Sequence, residues 1–243
     1  VEFTFPRSAL TEDLELVVFE ELFNVEGKLV GEHKDIDDEE QTVRQPEIRT
    51  KASDKETGTN IGLATDNVTI VDEVSYRNLI VGKTYTVKGV LMDKETGQPF
   101  LTRENKEVRA EKEFTATQSN GTVNLEFVIQ QGDLAGKTIV VFEDLYEEGK
   151  KIATHSDIED KDQTVHYPKV GTQAVELSED TDETVIIRDI IYYENLIPGE
   201  SYTARGKLML KEANAPFTVF GREVEGHATF VASETGTGYV TMD

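Results

Sequence analysis

Two acidic segments of the chain carry a histidine, an aspartate and a glutamine at the same spacing. Residues 33–43 read HKDIDDEEQTV and residues 155–165 read HSDIEDKDQTV, with identity at seven of eleven positions. The residues that recur at this spacing are His33, Asp38, Gln41, His155, Asp160 and Gln163. An imidazole near a carboxylate can accept a proton at neutral pH. A plain acidic turn would not need a histidine and an amide at fixed spacing, so chemistry at these residues is a hypothesis to pursue.

Two simpler interpretations of these segments stay open. A solvated loop that leads into a last strand is the commonest role of such a stretch. The carboxylates are also clustered as in a calcium loop, at Asp35, Asp37, Asp38 and at Asp157, Glu159, Asp160. The spacing and central glycine of an EF-hand are absent, however. We therefore predict no metal site, and nothing in the sequence calls for another cofactor.

The composition excludes several classes of function. The 243 residues carry a net charge of −23, which argues against nucleic acid because phosphate binding needs clustered Lys and Arg. No run of roughly 18 apolar residues predicts a membrane span, and no basic stretch followed by an apolar one predicts a signal peptide. The chain has no cysteine. Disulfides and thiolate chemistry are excluded, so any covalent stabilisation must come from other side chains.

Alternating apolar residues predict strands along most of the chain. TYTVKGVLM at residues 84–92 places Tyr85, Val87, Gly89 and Leu91 on one face, and SYTARGKLML at 201–210 repeats the pattern. Turn signals such as Glu95-Thr96-Gly97 and Pro198-Gly199 separate the strands. Short strands at this spacing predict an all-β fold of immunoglobulin-like β-sandwich domains.

The repeats occur in an unusual order. NLIVGKTYTVKGVLM at residues 78–92 aligns without a gap with NLIPGESYTARGKLM at 195–209, later in the chain. TIVVFEDLY at 138–146 aligns instead with ELVVFEELF at 15–23, earlier in the chain. This order is inconsistent with a simple tandem repeat. We predict one complete domain at residues 46–167, and a split domain whose N-terminal portion is 168–243 and whose C-terminal portion is 1–45.

The two portions fit together as one domain. They total 121 residues, against 122 in the complete domain, and GYVTMD at the C-terminus followed by VEFTF at the N-terminus would give one alternating strand. The joints at residues 42–48 and 164–170 are short and contain proline, so they give little slack. We therefore predict completion by another copy, head to tail, which produces a filament or a ring. The alternative is that both ends are frayed, truncated domains.

The motif VVFE, at residues 17–20 and 140–143, resembles that of the VaFE-repeat stalk domains of Gram-positive surface adhesins. The resemblance covers essentially the whole chain and includes the terminal His-x4-Asp-x2-Gln pattern. It implies an internal ester, formed when a threonine of the first strand attacks a glutamine amide of the last strand and ammonia leaves. It also implies an extracellular, cell-wall-anchored structural module rather than an enzyme with turnover. The ligand of a parent adhesin is not encoded here.

The threonines and glutamines for this reaction are present. PEIRTKA at residues 46–52 aligns with PKVGTQA at 168–174, which places Thr50 opposite Thr172. The resemblance implies an ester between Thr50 and Gln163 in the complete domain. In the split domain it implies an ester between Thr172 of one copy and Gln41 of another, so that the partner of the chain is a second copy of itself.

The remaining roles follow from the needs of the reaction. A threonine hydroxyl is a poor nucleophile until a base removes its proton, and His155 oriented by Asp160 is the predicted base. The amide carbonyl needs a hydrogen-bond donor, which two close carboxyls sharing a proton can supply. Glu143 and Asp72 are the predicted pair, with Glu126 as an alternative. The counterparts in the split domain are His33, Asp38, Glu20 and Asp189.

Three other functions remain as alternatives. Lys51 beside Thr50 leaves open a sandwich tied by a Lys–Asn isopeptide bond. A ligand-binding adhesin tip is possible, although no loop carries an aromatic cluster. A hydrolase would use Thr and His as nucleophile and base, but a Gly-x-Ser-x-Gly elbow is absent and the repeated glutamine would have no role.

Overall fold

The computed structural model describes residues 1–6, 9, 14–38, 40–130, 133–178 and 184–242. Regular structure in this part of the chain consists of 22 β-strands without an α-helix, which confirms the all-β prediction. None of the described segments forms a helix that could cross a membrane.

The strands fall into three groups along the chain. The first group comprises β1 (Glu15–Val17), β2 (Glu20–Phe23), β3 (Leu29–His33) and β4 (Thr42–Arg44). The central group comprises β5 (Glu47–Asp54), β6 (Asn67–Arg77), β7 (Thr84–Asp93), β8 (Gln98–Pro99), β9 (Arg109–Thr115), β10 (Gly121–Gln130), β11 (Lys137–Glu147), β12 (Lys150–His155) and β13 (Thr164–Tyr167). The last group comprises β14 (Lys169–Glu176), β15 (Ile187–Glu194), β16 (Ser201–Lys207), β17 (Met209–Leu210), β18 (Ala215–Pro216), β19 (Thr218–Val219), β20 (Arg222–Glu223), β21 (Glu225–Val231) and β22 (Gly238–Met242).

The central group forms a two-layer sandwich. One antiparallel sheet has the order β10-β6-β5, and the other has the order β12-β11-β7-β8, with β13 against β11 and β9 against β7. Alternate residues of both sheets point inward and form one core, in which Ile70, Val87, Phe127 and Leu145 are fully buried. This is the β-sandwich that the alternation of apolar residues predicts.

The chain enters and leaves this sandwich at opposite poles. Near the start of β5, the carbonyl of Gln45 accepts a hydrogen bond from Asn78 Nδ2 at 3.0 Å. At the end of the same strand, Asp54 Oδ2 accepts a hydrogen bond from Tyr167 Oη at 3.2 Å. An eight-residue strand spans about 25 Å. The first and last strand groups are therefore attached to the sandwich near opposite ends of β5.

A second asparagine holds the exit joint. Asn195 Nδ2 donates to the carbonyl of Lys137 at 2.6 Å, and Asn195 Oδ1 accepts from Thr138 Oγ1 at 2.7 Å. Asn195 has a φ of 61°, close to the 60° of Asn78, which occupies the equivalent position of the preceding repeat. Positive φ is tolerated by asparagine better than by most residues. Equivalent asparagines thus contact the chain at both joints.

The outer groups reproduce the pairings of the central sandwich in two separate parts. β14, β15 and β22 pair as β5, β6 and β10 do, and β16 pairs with β21 as β7 pairs with β9. β1 pairs with β4 and β2 with β3, as β11 pairs with β13 and β12. Between these two groups, no strand pairing occurs in the described residues.

Much of the inner face of each outer group is exposed, although Tyr193, Leu196 and Ala232 form a small buried cluster in the last group. Leu22 is 66% exposed, whereas its counterpart Leu145 in the central sandwich is 0% exposed. Phe217 is 38% exposed, against 4% for its counterpart Phe100. Residues 1–6 belong to no strand, and Asp243 of the predicted joined strand lies outside the described residues. Each outer group therefore has the pattern of half a sandwich whose inner face is only partly covered.

Candidate functional site

Thr50, Glu143 and Gln163 meet in the buried interior of the central sandwich. Gln163 Nε2 donates to Thr50 Oγ1 at 2.9 Å and to Glu143 Oε2 at 2.7 Å. Thr50 Oγ1 donates to the same glutamate oxygen at 3.3 Å. The exposed fractions are 6% for Thr50, 1% for Glu143 and 0% for Gln163. The structure thus brings the predicted nucleophile and the predicted amide within hydrogen-bond distance.

Backbone hydrogen bonds position this cluster. Thr50 lies on the inward-facing side of β5, where buried and exposed residues alternate. The carbonyl of Gln163 accepts a hydrogen bond from Val141 N at 3.0 Å, which fixes the residue against β11. The carbonyl of Asp162 accepts from Ala52 N at 2.8 Å, which joins the same segment to β5. Hydrogen bonds therefore hold the first strand and the segment that leads into the last strand next to each other without a covalent bond.

A glycine makes room in the core next to this cluster. Gly89 on β7 is the direct register partner of Glu143 on β11. A Cβ atom at Gly89 would lie 2.5 Å from Cζ of Phe127, which is closer than real Cβ contacts allow. The glycine thus lets a core ring approach the strand that faces Glu143. Sequence reasoning did not assign a role to Gly89, although its recurrence as Gly206 in the repeat was a usable signal.

Burial shifts the two predicted carboxyls toward their protonated forms. Asp72 is 0% exposed, and burial raises its pKa from 3.8 to about 6. Burial also raises the pKa of Glu143 well above its ordinary value, and the nearby charge of Asp72 raises it further. Two carboxyls that cannot both ionise cheaply hold a proton up to near-neutral pH. Asp72 and Glu143 therefore have the electrostatic environment that their predicted role requires.

His155 contacts Asp160 as predicted, but it does not contact the threonine. Its Nε2 lies 3.1 Å from Asp160 Oδ2, and its strand position is the register partner of Glu143. Among the described residues, no hydrogen bond joins His155 to Thr50. The threonine hydroxyl faces Glu143 instead. The role of His155 as base stays a prediction, and the proton acceptor within reach of Thr50 is Glu143 Oε2.

Buried polar atoms without a hydrogen-bond partner coincide with the predicted sites. In the described part of the chain these side-chain atoms are Gln41 Oε1, Asp72 Oδ1 and Oδ2, Glu143 Oε1, His155 Nδ1 and Gln163 Oε1. Folded proteins leave few such atoms, because each one costs desolvation free energy. All of them belong to residues that the sequence analysis assigned to ester formation, so the unsatisfied polarity is concentrated where chemistry was predicted.

The acidic character of the two repeated segments has a local explanation. Asp35, Asp38, Asp157 and Asp160 each use Oδ1 to accept the backbone N–H of the residue two positions later, at 2.8–3.0 Å. These are Asx-turn contacts, which fix a loop conformation. The calcium-loop interpretation has no support in the described part of the chain, where no group of three or more His, Asp or Glu side chains is placed to hold a metal ion.

The N-terminal strand group contains a similar cluster with only part of the site. Gln41 Nε2 donates to Glu20 Oε2 at 2.7 Å, the same distance as between Gln163 and Glu143. His33 Nε2 lies 3.0 Å from Asp38 Oδ2. We call these four residues, Glu20, His33, Asp38 and Gln41, the amide half-site. It contains the predicted amide and base but has no threonine.

The C-terminal strand group contains the complementary residues. Thr172 and Asp189 line a largely apolar groove of about 960 Å³, together with Ala174, Gly206 and Met242. We call Thr172 and Asp189 the threonine half-site. No hydrogen bond between the described residues joins it to the amide half-site. The structure therefore places the six predicted residues of the split domain in two separate groups of four and two.

Two alternative residues lie away from the site. Lys51, which left the isopeptide interpretation open, is exposed on the outer side of β5. Glu126, the alternative carboxyl, is exposed on β10 and forms an ion pair with Lys55 at 2.8 Å. Neither side chain reaches the buried cluster.

Comparison with protein families identifies the class of domain. The family model described as "T-Q ester bond containing domain" matches residues 1–45, 46–167 and 168–243. The chain belongs to this family. Members of the T-Q ester bond family are structural modules rather than enzymes that turn over a substrate, as the sequence analysis predicted.

Solved structures give weaker likenesses to this T-Q ester bond protein. A bacterial adhesin from Mobiluncus mulieris that contains intramolecular disulfide, isopeptide and ester bond cross-links is 14% identical, over 76% of this chain and 92% of that one, with a TM-score of 0.47. A glycosyl hydrolase family 2 member from Bacteroides cellulosilyticus is 13% identical, over 47% of this chain and 14% of that one, with a TM-score of 0.35. No curated protein matches the chain.

Proposed function

We propose that the chain is a self-cross-linking stalk module of a bacterial surface adhesin, and that Thr50 and Gln163 form an internal ester. The observation that carries this proposal is the buried contact of 2.9 Å between Thr50 Oγ1 and Gln163 Nε2. Membership of the T-Q ester bond family supports the bond type. The extracellular, cell-wall-anchored location in a Gram-positive bacterium rests on the VVFE resemblance.

The proposed reaction exchanges one amide for one ester. Thr50 Oγ1 attacks Cδ of Gln163, a C–O bond forms, and the C–N bond to Nε2 breaks. The proton of the hydroxyl ends on the departing nitrogen, which leaves as ammonia. Glu143 Oε2 contacts both the hydroxyl and the amide nitrogen, so it is placed to carry this proton from one to the other.

The other buried groups have supporting roles in this proposal. Asp72 and Glu143 share a proton that stabilises the developing negative charge on the amide oxygen. The side-chain oxygen Oε1 of Gln163 has no hydrogen-bond partner among the described residues before reaction, so a hydrogen bond that forms to it during the attack favours the transition state over the ground state. Exclusion of water from the site protects the ester from hydrolysis afterwards.

The internal ester ties the first strand of the sandwich to the segment that leads into its last strand. A tie at this position prevents the two ends of the domain from separating when a stalk is under tension. It also restricts the unfolded chain, as a disulfide does. The protein has no cysteine, and the ester supplies the covalent stabilisation that disulfides provide elsewhere.

We extend the proposal to the split domain, where the same bond would join different molecules. The amide half-site of one copy would dock on the threonine half-site of another, and Thr172 would react with Gln41. The attachment of the two strand groups at opposite poles of the central sandwich favours a partner from a second molecule. After each joining event, one end of the assembly has a free amide half-site and the other has a free threonine half-site. Copies therefore add head to tail.

A complementation experiment tests this proposal. Chains with Thr172→Ala keep the amide half-site, and chains with Gln41→Ala keep the threonine half-site. Alone, each variant is expected to remain a monomer on a boiled denaturing gel. Mixed, the two are expected to give a covalent dimer and nothing larger, because the remaining half-sites of that dimer are both disabled.

Intact mass decides between the outcomes of this experiment. The dimer should lack the mass of one ammonia for each internal ester and one more for the joining bond. A mixture that stays monomeric would overturn the intermolecular ester. Monomers at full mass, with no ammonia lost, would overturn the internal ester as well.

A further inference from the structure

Two strand edges of the split domain are unpaired in the described structure, although their counterparts are paired. In the central sandwich β7 lies between β9 and β11. Its counterpart β16 pairs with β21 along one edge and with no described strand along the other. The C-terminal half of β11 has β2 as its counterpart, which pairs with β3 alone among the described strands. An exposed strand edge is a template for pairing with another chain.

We infer that β2 of one copy adds to the free edge of β16 of another copy, antiparallel, with Glu20 opposite Gly206. The inference rests on the proposed function, since it specifies the interface through which the two half-sites meet. The occupant of the groove beside Thr172 is thus a second copy of this chain. The register follows from the pairing of Glu143 with Gly89 in the central sandwich, carried to the equivalent positions.

The register brings complementary side chains together. Glu21 faces Arg205, as Asp144 faces Lys88 in the central sandwich, so an acidic residue again meets a basic one. Leu22 and Phe23 on β2 are 66% and 52% exposed in the single chain. Their counterparts Leu145 and Tyr146 lie opposite Val87 and Thr86. Strand addition therefore covers apolar surface on both copies.

Gly206 lies at the point of this interface that Glu20 of the second copy would face. A Cβ atom there would lie 2.4 Å from Cε of Met242, just as a Cβ at Gly89 would contact Phe127. Gly206 and Met242 line the same groove as Thr172 and Asp189. The glycine therefore lets the Met242 side chain pack against β16 at the position that Glu20 of the second copy would face, next to Thr172 and Asp189.

Disulfide trapping with four cysteine pairs tests the register. The absence of native cysteine means that every disulfide reports an introduced pair. Directly facing residues of antiparallel strands have Cα atoms about 4.5–5.5 Å apart, within disulfide range, whereas diagonal pairs are about 7–8 Å apart. The matched pairs are Glu21→Cys with Arg205→Cys and Phe23→Cys with Thr203→Cys. The mismatched pairs are Glu21→Cys with Thr203→Cys and Phe23→Cys with Arg205→Cys.

All four pairs are placed in full-length Thr172→Ala chains, which cannot form the intermolecular ester. We expect a ladder of reducible multimers from both matched pairs, at least tenfold more abundant than from either mismatched pair. Equal trapping by all four pairs, or preferential trapping by the mismatched pairs, would overturn the register.

A parallel sample with Thr172 and no cysteine separates this inference from the proposed function. If that sample forms its ester ladder while no matched pair is trapped, the strand register is wrong and the intermolecular ester stands. If matched pairs are trapped but the Thr172 sample stays monomeric, the interface is right and the intermolecular ester is wrong. A charge exchange tests the ion pair across the same interface. Glu21→Arg alone should weaken trapping of the Phe23→Cys and Thr203→Cys pair. The addition of Arg205→Glu should restore it.

Discussion

At the scale of residues, the central feature is one carboxyl oxygen that contacts both reacting groups. Glu143 Oε2 accepts from the Thr50 hydroxyl and from the Gln163 amide, inside a core from which water is excluded. Burial of a glutamate with only these partners lowers the stability of the fold through desolvation. Buried carboxyls with shifted pKa values are concentrated at functional sites. This desolvation cost is consistent with a site that reacts once, because the reaction consumes the Gln163 amide.

Replacement of the nucleophile tests the internal ester at this scale. In the Thr172→Ala background, Thr50→Ala should retain one more ammonia than its parent by intact mass. The free energy of unfolding should fall by about 4–5 kcal/mol, because the ester closes a loop of roughly 100 residues. Thr50→Ser keeps the hydroxyl and should retain both the bond and most of the stability. Equal mass loss in the Thr50→Ala chain would contradict the assignment.

The raised pKa of Asp72 predicts how stability depends on pH before the bond forms. The folded state favours the protonated carboxyl, so its contribution is fully present below the unfolded pKa of 3.8 and is lost as the pH rises through about 6. We compare Thr50→Ala with Thr50→Ala plus Asp72→Asn by urea unfolding. The asparagine chain should gain about 1–1.5 kcal/mol relative to its parent between pH 5 and pH 8. A constant difference across this range would refute the raised pKa.

Much of the site could be predicted from the sequence because the reaction needs particular residue types in a fixed order. Thr50 and Gln163 followed from the alignment of two repeats and a family motif. The contact between Glu143 and both reacting groups could not be predicted, because it depends on which inward-facing residues of β5 and β11 come opposite each other across the core. The lack of contact between His155 and Thr50 has the same origin, since strand pairing, not spacing along the chain, decides which side chains reach each other.

At the scale of elements, the site depends on the inner faces of β5, β6 and β11. The strand alternation that predicts the sandwich also predicts that Thr50, Asp72 and Glu143 point into it, once one inward residue on each strand is known. The predicted fold was accurate in the central group for this reason. The arrangement of the two outer groups depends on which strands of one group contact those of the other. The alternation of apolar residues alone does not predict those contacts.

Substitution of Gly89 tests the packing beside the site. The added methyl of Gly89→Ala would meet the Phe127 ring at 2.5 Å, so the core must shift. We expect a loss of about 1–3 kcal/mol from overpacking and slower ester formation, followed by intact mass over time. Gly171→Ala is the matched control, because an added Cβ there meets nothing within 4 Å. Similar effects of both substitutions would indicate that Gly89 has no special packing role.

At the scale of the whole molecule, joints and half-sites together determine what the chain can build. Asn78 and Asn195 hold equivalent joints, so successive domains in a head-to-tail assembly would meet through the same contact each time. Repetition of one joint gives every step the same rotation. Such an assembly is a helical filament unless that rotation closes a ring.

The joint can be loosened without disturbing its backbone. Asn195→Gly keeps the positive φ but removes the side-chain hydrogen bonds to Lys137 and Thr138. In dilute Thr172→Ala chains, small-angle X-ray scattering should then show a broader distribution of molecular dimensions. Asn214→Gly, at another positive-φ position, is the control and should leave the scattering unchanged. An unchanged profile for Asn195→Gly would show that these hydrogen bonds do not hold the joint.

The measurement that tests the central claim most directly is peptide mapping of the unmodified protein after boiling in denaturant, with intact mass on each gel band. We predict a ladder of multimers, a cross-linked peptide that joins Thr50 to Gln163 in every band, and one that joins Thr172 to Gln41 in every band above the monomer. Each bond should account for the loss of one ammonia. A monomer at full mass, with Gln163 and Gln41 recovered as free glutamines, would contradict the account.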